Sequence, residues 1–373
     1  EIASCLVGSE MCIRDSHYRL PIYSKVDELL DTDFYFGDKV TTAIKPFDVT
    51  LLKGFKANLT TVRFMKILTR YKGLSAVFKG GYKQIVVTGD ITNISSWFIS
   101  LYCRFTNKEC YLWTHGLMAY PQSWVKRAIQ KLYHTLPSGC FVYCEHAIEN
   151  MIKMGISPSR LFPIHNCLDT ELLGRYASSV KLTDVYSSYF KNSHPTIIYI
   201  GRIQKRKKLG QIFEAIKILK SKGTLVNCVL VGNNIDAGDL EILTQEMGLD
   251  DQVWFYGSSY NEEKNSELLY NASACISPGN VGLTSIHSLS YGTPVITHNN
   301  FDNQMPEYTA VEEGITGSFY QEDDIEALAA AIKRWCTATQ EERELCRVHA
   351  KKMIEQQWSV NYQAQVLCSV LKH

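Results

Sequence analysis

The sequence predicts an α/β protein of two doubly wound, Rossmann-like domains in tandem, facing across a cleft. Three observations carry this. At 373 residues the chain exceeds what one hydrophobic core usually serves, and roughly 100–200 residues per domain gives two. Short apolar runs rich in β-branched residues alternate with helix-length segments, the pattern of parallel strands covered by helices. A polar break over 178–195 interrupts that alternation as an interdomain linker would, and the pattern then restarts. Hydrophobic residues make up 45% and charged residues 21% of the chain, which excludes disordered, collagen-like and coiled-coil classes. No apolar run approaches the roughly 20 residues that span a bilayer.

The elements follow in order from His17. A helix over Leu20–Leu30 precedes a strand at Phe34–Phe36. A second strand is expected at Val49–Leu52 and a basic helix over Thr60–Tyr71. Asp31-Thr32-Asp33 is formally an Asp-x-Asp, but it precedes an early strand and reads as a turn, with no metal implied. Gln84–Val87 has the unbroken apolar character of a buried parallel strand. Helix Ser95–Phe105, strand Cys110–Trp113, basic amphipathic helix Pro121–His134 and strand Gly139–Cys144 follow. Beyond the break come strand Thr196–Tyr199, helix Leu209–Lys220, strand Asn227–Val231, helix Asp239–Met247 and strand Val253–Tyr256. Helix Asn261–Asn271, strand Ala274–Ile276, helix Leu283–Ser290, strand Pro294–Thr297 and helix Ile325–Cys336 complete a second wound domain. Residues 342–371 are helical, with a polar interruption near 356–359.

Residues 1–16 fit nothing that follows: they lack the parts of a signal peptide and resemble translated adapter sequence. They are expected to be non-native, with the first strand of the sheet missing. The domains are then 17–185, 190–355, and a terminal helix over 356–373 that can cross back to the first. Net charge is +1 but divided: residues 17–181 hold 21 Lys and Arg against 12 Asp and Glu, whereas 182–373 hold 17 against 23. The tract from Lys53 to Lys83 contains eight basic residues (53, 56, 63, 66, 70, 72, 79, 83) and no acid. With Lys126, Arg127, Lys131 and Trp124 it suits contact with an anionic membrane surface or a lipid diphosphate. Nucleic acid fits less well, because no reading motif or base-stacking array is present. The twelve cysteines form no metal-site spacing and are expected to be buried free thiols.

Two segments carry chemistry. In Ile276–Asn299 a strand runs through Gly279-Asn280-Val281-Gly282 into a helix, leaving amides near Leu283 and Thr284 for an anion. The second, Gly201-Arg202-Ile203-Gln204-Lys205-Arg206-Lys207-Lys208, follows the first strand of the same domain, where parallel sheets bind ligands. Its basic residues can clamp a diphosphate.

Together these segments resemble the family 4 retaining glycosyltransferases, whose fold is GT-B. The resemblance covers 17–373 and is strongest over 195–300. In that family a Gly-Arg turn with Lys five residues later contacts the donor's phosphates; Gly201, Arg202 and Lys207 match, while Lys208 stands where Gly is usual. The family's Glu-x7-Glu precedes a Gly-Thr-Pro-Val run. Counting back from Gly292 puts Gly279 at the first Glu, which contacts the sugar, and His287 at the second, which binds the ribose. Both carboxylates are absent; Asn280 could replace the sugar contact, and His287 could still meet the ribose. His115, closing a strand before Gly116, resembles the family's cleft histidine near the donor sugar. Phe255-Tyr256-Gly257 resembles the strand end that meets the nucleobase, and Pro306-Glu307 the pair after the donor loop. Asn166-Cys167-Leu168-Asp169 resembles the family's Asn-Gly-Val-Asp.

The resemblance implies a catalytic group of His115, Arg202 and Lys207. It implies donor contacts from Gly201, Gly279, Asn280, Gly282, Leu283, Thr284, His287, Tyr256 and Glu307. No metal and no cofactor are implied, since the nucleotide sugar is a substrate; the acceptor is a glycan or lipid-linked, as in surface polysaccharide synthesis. The expected location is cytoplasmic, peripheral on the inner face of the plasma membrane. The rival reading is a catalytically inactive GT-B protein that binds nucleotide or glycan. A dinucleotide-dependent oxidoreductase is disfavoured, because no G-x-G-x-x-G follows any expected strand.

Overall fold

The computed structural model describes residues 4–8, 19–38, 47–64 and 67–371. The chain divides into two compact units, Glu1–Asp169 with Ser359–His373, and Thr170–Trp358. Among the described residues the first unit carries an eight-stranded sheet and the second a six-stranded one.

The first unit runs β1 (Ser4–Gly8), α1 (Leu20–Leu29), β2 (Thr32–Gly37), β3 (Phe55–Phe64), β4 (Leu68–Lys72), α2 (Ser75–Lys79) and β5 (Gln84–Thr88). It continues through α3 (Ile94–Phe105), β6 (Glu109–Thr114), α4 (Trp124–Thr135), β7 (Gly139–Val142), α5 (Glu145–Lys153) and β8 (Leu161–Pro163). Strand order is β4-β3-β2-β1-β5-β6-β7-β8, parallel except for the antiparallel β3–β4 pair. Every residue of β5 is buried, and its runs of Ile and Val suit a strand covered on both faces. Asn93 caps α3, accepting from the Ser95 amide at 3.0 Å.

Four expectations for this unit are corrected. Strand β1 is present within residues 1–16, paired in parallel with both β2 and β5, so the sheet does not lack its first strand. Residues 1–3 and 9–16 lie outside the described residues. The basic helix over Thr60–Tyr71 is instead the β3–β4 hairpin, with Lys66 outside the described residues. Leu59 and Thr61 turn inward while basic side chains alternate outward, and charge on an edge strand guards it against further pairing. Val49–Leu51 is a 3-10 turn, not a strand, because the Asp48 carboxylate accepts from both the amide and the hydroxyl of Thr50. Asp31-Thr32-Asp33 is not a turn: Thr32 and Asp33 begin β2, and Asp33 pairs with Lys56 at 3.2 Å and accepts from Tyr82 at 2.5 Å.

The second unit runs α6 (Thr170–Ser179), α7 (Val185–Phe190), β9 (Thr196–Ile200), α8 (Gly210–Ser221), β10 (Asn227–Val231), α9 (Leu240–Glu246), β11 (Val253–Gly257) and α10 (Glu262–Asn271). It closes with β12 (Ala274–Ser277), α11 (Thr284–Ser290), β13 (Val295–His298), β14 (Gly317–Tyr320), α12 (Ile325–Cys336) and α13 (Gln340–Gln357). Its strands, in order β11-β10-β9-β12-β13-β14, are all parallel. A capping box of Thr339 and Glu342 starts α13. The expected linker over 178–195 is corrected: α7 lies within it and packs on α10, with Tyr186 buried and donating to the Leu268 carbonyl at 2.5 Å.

The last helix, α14 (Val360–Leu371), belongs to the first unit and packs on α1. Val360, Ala364, Leu367 and Leu371 recur at helical spacing and are all buried with Ile22, Tyr23 and Val26. The Gln363 amide donates to the His165 carbonyl and accepts from the Cys167 thiol, so α14 also fixes the 166–169 loop. The ten described cysteines are free thiols, eight of them buried.

Candidate functional site

In the second unit the strand order reverses between β9 and β12, and the carboxyl ends of these strands bring the expected donor segments together. Gly201 follows strand β9, and its φ of +144° suits a residue without a β-carbon. The Ile200 carbonyl accepts from the Thr284 hydroxyl at 3.0 Å, which ties α11 to this turn. The chain then makes a 3-10 turn over Lys205–Lys207, anchored by the Lys205 amide on Asp236 at 2.7 Å. Tyr199 donates to the Arg202 carbonyl at 2.7 Å from below.

Lys207 is half-buried, and its ammonium donates to both the carbonyl (2.5 Å) and the side-chain oxygen (3.0 Å) of Asn280. Burial, then Arg206 and Arg202, push its pKa down to about 8, although the carboxylate of buried Glu307 favours the charge. Arg202, Arg206 and Lys207 thus form one cation group close enough to repel itself. Lys208 leaves it. Its backbone is left-handed (φ +52°), the conformation that favours Gly, and its ammonium pairs with Asp323 at 2.6 Å and Glu322 at 3.0 Å.

The two positions where the resemblance led one to expect carboxylates have different surroundings. At Gly279 the backbone of the 3-10 turn lies so close that a Cβ would sit 2.1 Å from the Arg206 carbonyl oxygen, and the Gly279 amide donates to the Lys207 carbonyl at 3.0 Å. No side chain fits there. The Val281 amide donates to Gln304 at 2.8 Å, so part of the Gly279–Gly282 turn is engaged within the protein. Leu283 precedes a short α11, and Ser285 donates to the Glu307 carbonyl at 2.9 Å. Side-chain cations, more than turn amides, therefore supply the positive charge.

At His287 a carboxylate comes from another element, α10. The His287 Nε2 atom is 2.7 Å from Glu262 Oε1, and the Tyr291 hydroxyl donates to the same oxygen at 2.6 Å. Burial opposes the charge on Glu262, yet the bonds from His287 and Tyr291 outweigh it and hold the carboxyl below its ordinary pKa. Sequence reasoning missed Glu262, since the pair is separated by 25 residues and joins two helices.

Beside the Gly201 turn lies a cavity of about 560 Å³, lined by Ile203, Gly232, Asp239, Glu241, Phe255 and Gly257 among others. Of the expected nucleobase segment, Phe255 and Gly257 line it. Tyr256 instead packs against Trp254, ring centroids 5.0 Å apart, so its side chain is not among the lining groups.

His115 belongs to the first unit, just after β6. It packs edge-on to Tyr143 at 4.9 Å, and burial followed by the nearby Arg19 cation drives its pKa down to about 4. Arg19 is itself buried, donates to the Tyr143 hydroxyl at 2.6 Å and lies over the Trp113 and Tyr143 rings. Asn166 is buried, and Cys167 is engaged by α14.

Residues 185–353 match the family described as glycosyl transferases group 1. A curated relative, the capsular polysaccharide biosynthesis glycosyltransferase CapM of Staphylococcus aureus, is 27% identical over 190 residues, covering 48% of this chain and 46% of that protein. The chain thus spans about half the length of the curated relative it matches. Among solved structures, HepE of Anabaena in complex with UDP superposes with a TM-score of 0.73 at 14% identity, covering 100% of both chains. A glycosyltransferase from Rickettsia africae gives 0.73 at 13% identity, and sucrose-phosphate synthase of Thermosynechococcus elongatus 0.71 at 16%, each over 100% of this chain and 98% of its own. The fold is GT-B, as the resemblance implied.

Proposed function

We propose that this chain, with its glycosyl transferases group 1 segment on a GT-B fold, moves a sugar from a nucleotide-sugar donor to a glycan or lipid-linked acceptor, keeping anomeric configuration. The observation that carries the reading is Lys207: a half-buried ammonium beside Arg202 and Arg206, at strand ends bordering a cavity large enough for a nucleoside. Clustered cations repel one another when the site is empty and are relieved by an anion, which suits a diphosphate whose charge grows as it departs. The bond from the anomeric carbon to the diphosphate oxygen breaks, and its electron pair goes to the diphosphate. The acceptor oxygen bonds that carbon on the same face, and its proton goes to the departing phosphate.

Glu262, steadied by His287 and Tyr291, takes over the ribose contact of the family's second Glu, and Asn280 the polar contact of the first. For His115 the support is its own state: a neutral imidazole suits hydrogen bonding to a sugar hydroxyl better than proton removal. That CapM is a capsular polysaccharide biosynthesis protein supports an acceptor of the surface-polysaccharide kind.

The absence of both motif carboxylates favours a second reading, an inactive nucleotide-binding protein. A donor-hydrolysis and transfer assay separates the two. Arg202→Ala and Lys207→Ala should each cut turnover at least about tenfold with an unchanged melting curve. Turnover at wild-type level in both variants rejects the assignment, and no turnover in the wild type with nucleotide still bound selects the inactive reading.

A further inference from the structure

Beyond β14, the half-buried carboxylate of Glu322 collects donors from separate segments of the second unit. Its Oε1 accepts from the Lys208 ammonium and the Asn303 side-chain amide, each at 3.0 Å, and its Oε2 from the Asn300 side-chain amide at 2.6 Å. Burial opposes the charge, yet the bonds from Asn300, Lys208 and Asn303 outweigh it and hold the carboxyl below its ordinary pKa. His298, buried at the end of β13, braces the same place. Its Nδ1 accepts from the Asn300 backbone amide at 3.2 Å, and its Nε2 lies 4.0 Å from Glu322 Oε1.

These bonds reach both donor segments. On one side, Lys208 ends the turn that carries Lys207, in a left-handed conformation (φ +52°) that is costly for a residue with a β-carbon. Asp323 adds to the grip on it, accepting from Lys208 at 2.6 Å and from Gln211, in the first turn of α8, at 2.7 Å. An ammonium held by carboxylates from another loop offsets the cost of that backbone, which a glycine would not incur. On the other side, Asn303 precedes Gln304. The Gln304 amide donates to the His298 carbonyl at 2.8 Å and accepts from the Val281 amide at 2.8 Å, inside the 279–282 turn.

An isolated surface ion pair contributes little. This one is sheltered, with the Glu322 side chain 17% exposed, and it belongs to a network whose members hold one another in place.

We propose, on the donor-site reading above, that Glu322 is a positioning residue for that site. Through Lys208 it fixes the 205–208 turn, and through Asn300 and Asn303 the segment that holds the 279–282 turn. Lys207 thereby reaches Asn280 and the diphosphate from a fixed backbone. Glu322 acts through these neighbours and not on the ligand.

The test is calorimetric titration of uridine, guanosine and adenosine diphosphates into the full chain, continued with whichever binds tightest. Glu322→Ala should weaken binding about tenfold, because small displacements of positioned groups are costly. Lys208→Ala keeps a β-carbon at the left-handed position but loses the anchor, and should weaken binding to a similar extent. Lys208→Gly loses the anchor and no longer needs it, and should bind within about threefold of wild type. As a control, Glu326→Ala breaks the exposed Lys222–Glu326 pair of 2.6 Å and should bind like wild type. Thermal melts check that each variant is folded at the titration temperature. Lower melting temperatures in Glu322→Ala and Lys208→Ala with wild-type affinity would show a structural role only and overturn the proposal. Equal losses in Lys208→Ala and Lys208→Gly would overturn it too. Lys207→Ala separates the two readings. Wild-type affinity in that variant rejects the donor site itself, whereas weakened binding there with wild-type affinity in Glu322→Ala rejects the positioning role alone.

Discussion

The two sheets run in the same order outward from a central strand, β2-β1-β5-β6 in the first unit and β10-β9-β12-β13 in the second, yet they dispose their polar groups in opposite ways. In the second unit the cations gather at the strand ends. Lys207 is held on Asn280, Lys208 on an acid pair, and the backbone closes over Gly279. In the first unit the strand end carries His115, packed edge-on to Tyr143 beside the buried Arg19 cation, and helix α3 turns serines inward and Phe98 and Phe105 outward. One strand order thus supports a cation group at the strand ends of one unit and exposed aromatic rings on a helix of the other. What differs is which positions carry charge and which neighbours answer it.

The sharpest break of that comparison is at Gly279. If the proposed clamp is closed by backbone, placing a carboxylate there must damage it. Gly279→Glu should cost at least 1–3 kcal/mol of stability by overpacking, roughly, and weaken nucleotide binding about a hundredfold. Gly282→Ala, where the nearest atom to an added Cβ is 3.9 Å away, should be close to neutral; titration calorimetry and thermal melts read both. In the first unit the core rests on its terminal helix. Leu367→Ala should cost about 2–5 kcal/mol in denaturant unfolding, with nucleotide affinity unchanged.

A third expectation is pH dependence confined to the second unit. With the free Lys207 ammonium losing its proton near pH 8 and a bound diphosphate holding it on to higher pH, affinity is full below about 8 and falls above it. Between pH 7.5 and 9.5 it should drop about tenfold, and Lys207→Arg should flatten the curve because a guanidinium stays charged. The smallest effect is at Glu262. Glu262→Gln keeps an acceptor for His287 and Tyr291 but removes the charge, and should raise the donor KM about threefold with kcat nearly unchanged. Equal effects on kcat and kcat/KM would move Glu262 from positioning the donor to the chemistry.

The second unit was the more legible in sequence. Strand Asn227–Val231 and helix Ile325–Cys336 fall at their expected bounds, because the one is a fully buried apolar run and the other starts at an Asp324 cap. The first unit misled where charge lay on an edge. Alternate basic residues on the β3–β4 hairpin imitate one face of a helix, and only the inward Leu59 and Thr61 reveal period two. Helix α3 was legible as an element but not in its orientation, since periodicity marks an apolar face without saying which way it points. The Arg202 and Lys207 segment was readable because both lie within one local turn, whereas Glu262 and His287 meet only through tertiary packing.

The central claim is that the strand ends of the second unit hold a nucleoside diphosphate through a cation group set on Asn280. The most direct measurement is calorimetric titration of uridine, guanosine and adenosine diphosphates into wild type and Lys207→Ala at pH 7 and pH 9.5. The expected result is saturable binding of at least one diphosphate by wild type, weaker at pH 9.5, and at least about tenfold weaker in Lys207→Ala with the pH dependence gone. Identical affinities for the two proteins at both pH values, or no binding of any diphosphate by folded wild type, would contradict it.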